Sequence, residues 1–143
     1  MRLWLSRGLP SSSSMASAAA VVHSASGLDE IAGDGPTYVV QFDETGMRRW
    51  TLHPADYGVH APLEAIRGGD ARFNAGILTA ILAGERSPRA DLVVLNAALA
   101  LVVAGVAAGI AEGMERARAA LAGGAAGAAL EALRAERPKE VAT

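Results

Sequence analysis

Cysteine is absent from this 143-residue chain. That excludes disulfides, thiolate metal sites and cysteine nucleophiles, and it fits a reducing compartment, so the expected location is cytoplasmic. Aromatic residues are scarce, at 4%, although 51% of the chain is hydrophobic. Alanine and glycine supply much of that fraction, which lets helices approach one another closely. Excess positive charge is missing too: the net charge is −2 and the pI about 5.9. Such a balance does not provide the basic surface that nucleic-acid binders need. No long, clean apolar run is present either. Leu92 to Ala111 carries no charge, but it is rich in alanine and glycine, Gly105 splits it, and no aromatic belt flanks it. It reads as core helix and not as a membrane span. Finally, no His/Asp arrangement accompanies Ser11 to Ser14, so that run is low-complexity sequence and not a nucleophile.

What remains is enough for one domain with a real core. Residues 1–17 have two arginines, no acidic residue and a serine run. In composition they resemble a targeting peptide; the plainer expectation is a segment outside the folded unit. The folded unit is expected over 18–135, and a frayed, charged tail over 136–143.

Ala18 to Val22 reads as a short strand. Thr37 to Phe42 is a second strand, Asp43-Glu-Thr-Gly46 a turn and Met47 to Leu52 the return strand, together a β-hairpin. Pro54 suits a first helical position, and Gly58 ends that turn. Helices are expected at 62–67, at 71–83 behind an Asp70 N-cap, from Ser87-Pro88 onward, over 110–122, and at 125–134. Phe73, Ile77 and Ile81 share a face, as do Leu92, Leu95, Leu99 and Val102. The expected fold class is therefore α/β: a partial mixed sheet, strand then β-hairpin, packed by four to five helices.

The stretch that could carry chemistry is His23-Ser-Ala-Ser-Gly-Leu-Asp-Glu30, which follows the first strand. Ligands of α/β proteins collect in loops at the carboxyl ends of strands. Asp29 and Glu30 are adjacent carboxylates there, and Mg²⁺ favours one or two protein oxygens plus substrate phosphate. Taken alone, such a pair is more often a solvated turn or helix start. His23 is expected to be partly buried with a backbone partner, and His53 and His60 to lie at the surface. Asn74 and Asn96 are expected to make structural hydrogen bonds between helices. Arg67-Gly-Gly-Asp70 reads as a helix–helix turn, because an N-cap aspartate would oppose a phosphate.

The order of these pieces resembles the C-terminal portion of the anthranilate phosphoribosyltransferase family. The matching segments are Val-Val-His23 with Gly27-Leu-Asp-Glu-Ile31, then Gly35-Pro-Thr37, His53-Pro-Ala-Asp-Tyr-Gly58 and Leu63-Glu-Ala-Ile-Arg-Gly-Gly-Asp70. Asn74-Ala75, Ile81-Leu-Ala-Gly-Glu85, Asp91 to Leu101 and Ala111 to Arg118 complete the run. The resemblance covers about 18–135 and implies a partial α/β domain of a larger enzyme of tryptophan biosynthesis. In that family the anthranilate amine attacks the anomeric carbon of phosphoribosyl diphosphate, and diphosphate leaves. It further implies that Asp29 and Glu30 are ligands of a Mg²⁺ that serves the diphosphate.

Ser24 stands where the family usually has glycine. The family's Gly-Thr-Gly-Gly-Asp phosphate loop and its Lys-His-Gly-Asn segment do not occur in the sequence. The chain alone is therefore expected to be inactive, and its truncated face to self-associate or to need a partner chain. A nucleoside phosphorylase of the same broad fold is the alternative within enzymes; the Gly27-Leu-Asp-Glu30 loop argues against it.

Overall fold

A computed structural model describes residues 2–4 and 18–136. Four strands form one sheet in the order β1 (Arg2–Trp4), β2 (Ala19–Ser24), β3 (Thr37–Asp43) and β4 (Gly46–Leu52). A 3₁₀ turn at Pro54–Tyr57 leads to α1 (Leu63–Ile66), α2 (Ala71–Leu82), α3 (Pro88–Val103), α4 (Ile110–Ala122) and α5 (Ala125–Ala135).

The α/β class is as expected, but the described strand pairings are all antiparallel and not mixed. Connectivity explains the difference. The loop 25–36 contains no helix to carry the chain across the sheet, so β3 returns alongside β2. The backbone of Arg2–Trp4 pairs with Ala19–Val21 on β2. No side-chain pattern in the sequence signals this contact, because an open strand edge accepts any backbone. The expectation for the rest of 1–17 and for 137–143 lies outside the described residues.

Alternation gives the sheet two faces. Ala20, Ser24, Thr37, Val39, Gln41 and Leu52 turn inward and are buried. They pack on α3 and α4 through Leu95, Ala98, Leu99, Val103, Ile110 and Met114, with Ile31 and Val59 filling the space between the layers. Valine and isoleucine suit this pleated, half-buried surface. The opposite face aligns Phe42 with Met47 and His23 with Tyr38 across the register. Val21, Tyr38, Phe42 and Met47 are all exposed there.

The helix boundaries follow their caps. Asp70 Oδ1 accepts from the Phe73 N–H at 2.8 Å, and Ser87 Oγ accepts from the Ala90 N–H at 3.3 Å. Gly105 takes φ 66° and ends the apolar run of α3, and no helix among the described residues is long and apolar enough to cross a membrane. The α2 stripe departs from expectation. Ile81 is buried, but Phe73 is 52% exposed. Amphipathic spacing identifies a face that can be covered; it does not supply the cover.

Glu112 closes the entry to α4. Its carboxylate accepts from the Ala108 N–H at 2.8 Å and from Arg116 at 2.7 and 2.9 Å. The Ala108 N–H first, and then Arg116, hold its pKa below the usual 4.5. A depressed folded-state pKa stabilises above the unfolded pKa, and the stabilisation is lost as pH falls through the folded one. Thermal melts of Glu112→Gln against wild type should therefore differ at pH 7 and converge as pH falls through the depressed folded-state pKa of Glu112. A difference that persists unchanged in acid would contradict this origin.

Candidate metal centre

Glycine and serine shape the loop that leaves β2. Gly27 adopts φ 89°, a left-handed value that side chains disfavour. Ser24 is fully buried at the strand end. Its N–H donates to the Leu28 carbonyl at 3.0 Å, and its Oγ accepts from the Leu28 N–H at 2.8 Å. Ser24 Oγ thus satisfies the Leu28 N–H, which a glycine would leave to another partner. Ala25 N–H bonds to Pro36 O at 2.9 Å, and Ser26 Oγ donates to Asp34 Oδ1 at 3.0 Å.

The other end of the loop is tied just as closely. Ile31 is completely buried, and both of its backbone polar groups bond to the Asn96 side chain of α3. Gly33 bridges Ala61, with the Ala61 N–H on the Gly33 carbonyl at 3.1 Å. A Cβ at Gly33 would lie 2.5 Å from Ala61 Cβ, so only glycine fits this crossing.

Between these anchors stand Asp29 and Glu30. Both are exposed, and both line one cleft of about 230 Å³. Its floor is apolar: Ala20 and Val22 from β2, and Ala97, Leu99 and Ala100 from α3. Asn96 is the remaining lining residue, and among the described residues no cationic side chain lines the cleft. Nor do any three His, Cys, Asp or Glu side chains converge among the described residues. Two adjacent carboxylates beside an open cleft fit Mg²⁺, which keeps several waters and takes phosphate oxygens in place of an all-protein cage. They would not make a closed zinc-type site.

Of the other residues singled out from the sequence, Asn96 joins this cleft, and His23, His53, His60 and Asn74 do not. His23 is exposed on the outer sheet face opposite Tyr38, and not partly buried as expected. The strand's alternation turns it away from the core that receives Ser24. His53 and His60 line a separate recess with Asp34, Gly35 and Pro36. Asn74 bonds to both backbone groups of Gly69, at 2.9 and 3.0 Å. It locks the Arg67–Asp70 segment as a turn, not a phosphate cradle. Both asparagines have the structural role expected of them, though each grips a loop backbone and not a second helix. Asn96 is the member of the cleft whose effect on the loop a sequence cannot reveal, since its partner Ile31 lies 65 positions away.

Residues 12–127 match the model of the glycosyl transferase family, a/b domain. The chain belongs to that family. It is 50% identical over 120 residues to anthranilate phosphoribosyltransferase of Thermomicrobium roseum, a match covering 81% of this chain and 34% of the relative. It is 49% identical over 113 residues to the Methylobacterium nodulans protein of the same name, covering 78% and 34%. The crystal structure of anthranilate phosphoribosyltransferase from Thermus thermophilus superposes with a TM-score of 0.71 at 37% identity, over 81% of this chain and 34% of that one. The Saccharomyces cerevisiae enzyme in complex with PRPP and Mg gives 0.71 at 25% identity, over 78% and 33%. The chain spans about a third of the length of the curated relatives it matches.

Proposed function

We propose that the chain contributes the carboxylate half of a Mg²⁺-dependent phosphoribosyl-transfer site, the activity being transfer from phosphoribosyl diphosphate to anthranilate. One observation carries this reading: in a chain of this family, Asp29 and Glu30 lie side by side on a loop anchored at both ends and open onto one cleft. Bound Mg²⁺ would neutralise charge developing on the departing diphosphate. Asp29 and Glu30 would hold the ion at the cleft mouth, above the apolar floor. A cytoplasmic location and a partial phosphoribosyltransferase domain over 18–135 belong to the same reading.

The chain by itself is expected to be inactive, since phosphoribosyl transfer by positioning requires both substrates to be held, and the sequence contains no Gly-Thr-Gly-Gly-Asp loop. Purified chain with anthranilate, phosphoribosyl diphosphate and Mg²⁺ should give no product above the protein-free rate; clear turnover would refute that clause. Mn²⁺, followed by water-proton relaxation, should bind saturably to wild type. Asp29→Asn combined with Glu30→Gln should weaken it at least about tenfold. Unchanged binding would remove these residues as ligands.

A second reading concerns partners. Val21, Tyr38, Phe42 and Met47 stand together on the outer sheet face, and Phe73 and Leu78 are exposed on α2. Exposed apolar faces of this kind favour association, with a second copy or with a chain carrying the remaining two-thirds of the family's length. Sedimentation over a concentration series should reveal dimers or larger species; a monomer at all concentrations with a sharp cooperative melt would count against it.

A further inference from the structure

We propose that Asn96 is the positioning residue for Asp29 and Glu30, so that α3 sets, through one side chain, where a divalent cation is held. The inference rests on the metal reading of those two carboxylates. Asn96 Oδ1 accepts from the Ile31 N–H at 3.0 Å, while Nδ2 donates to the Ile31 carbonyl and to Leu92 O, each at 3.0 Å. Both ends of the amide are therefore engaged with backbone. Ile31 directly follows Glu30, and its own side chain is sunk in the core. The chain is thus held at three points one residue beyond the carboxylates: N–H, carbonyl and side chain.

On the near side, Leu28 is held by Ser24 through both backbone groups. Only Asp29 and Glu30 lie between the two anchors. Removing the Ser24 anchor would also disturb the end of β2. Removing the Asn96 grip would free the loop while leaving the inward face of α3 intact, because Asn96 is only half-buried. Side chains that orient metal ligands change affinity by about 10- to 100-fold when replaced. Two carboxylates on so short a loop segment depend heavily on being held in place beforehand.

The test compares three forms of the full chain by Mn²⁺ titration with water-proton relaxation, alongside circular dichroism and melting. Asn96→Leu removes the grip while keeping the same side-chain branching. Asn74→Leu removes the matching two-point grip on Gly69, neither residue lining the cleft, and serves as the control for a purely structural asparagine. The expected result is about tenfold weaker Mn²⁺ binding in Asn96→Leu, with Asn74→Leu within twofold of wild type. Faster deuterium exchange at the Ile31 amide should accompany it. If Asn96→Leu does not fold, Asn96→Ser, which is too short to reach Ile31, takes its place. Wild-type affinity in the Asn96 variant overturns the proposal, as does an equal loss in Asn74→Leu. If wild type itself shows no binding that Asp29→Asn with Glu30→Gln abolishes, the metal reading fails and this inference fails with it. Loss in that double variant but not in the Asn96 variant refutes the positioning role alone.

Discussion

Leu95→Ala should lower the unfolding free energy by about 3 kcal/mol, within the 2–5 expected for truncating a buried leucine. For a domain of this size that is a fall of roughly 10–15 °C in Tm. Leu95 is 0% exposed and belongs to the cluster that joins α3 to the sheet and to α4. Transfer of the lost methyl and methylene groups to water accounts for only part of the cost. The rest depends on whether the walls can close on the cavity. Here they cannot close easily. The sheet is fixed by its ladder, and α4 already touches α3 backbone at Gly113. With total stabilities of about 5–15 kcal/mol, the variant should still fold at low temperature. Urea titration at 10 °C with unchanged slope would measure the difference. A loss below about 1 kcal/mol would mean that α3 is not the central element of the core.

Gly113→Ala should also destabilise, by about 2 kcal/mol, although alanine is the better helix former. Replacing a helical glycine with alanine ordinarily gains about 0.5–1 kcal/mol. At Gly113, however, the new Cβ would lie 2.8 Å from Ala98 O, 2.9 Å from Ala98 Cα and 3.0 Å from Ala98 Cβ. These are mostly backbone atoms of α3, which cannot swing aside as a side chain can. Overpacking of this kind costs about 1–3 kcal/mol, and separating two helices that share the core should reach the upper part of that range. Gly127 is the matched control. It lies inside α5, where a Cβ would meet only Leu82 O at 3.9 Å, so Gly127→Ala should stabilise by roughly 0.5–1 kcal/mol. Melts of the two variants should move in opposite directions. Movement in the same direction would contradict the close α3–α4 crossing.

Much of the layout is legible in the order of the residues. The hairpin is written in Thr37 to Phe42, the polar turn and the return strand, and the observed strands differ from expectation by a residue or two. Helix starts are just as plain, because Asp70 and Ser87 cap through their own local geometry. The caps and the turn depend on neighbours within four residues, and the hairpin on the two strands that flank its turn, so the sequence alone carries them. The Asp29–Glu30 pair is visible in the same way.

What escapes is non-local. His23 faces outward because the register with Tyr38 decides which side of β2 meets the core, and a lone strand-end histidine does not encode that register. The antiparallel return of β3, the backbone pairing of Arg2–Trp4 and the bare flank of α2 likewise depend on what lies beside each element in space.

Periodicity, capping and motif order act over short stretches of chain. They are enough to set the local elements, the family run and the presence of two adjacent carboxylates. Folding in three dimensions adds the rest: the pair sits between two anchors, Ser24 on Leu28 and Asn96 on Ile31, over an apolar floor shared by β2 and α3. The physical reason is that Asn96 and Ile31 are 65 positions apart. Hydrogen bonds at that separation form only after the core has brought helix and loop together.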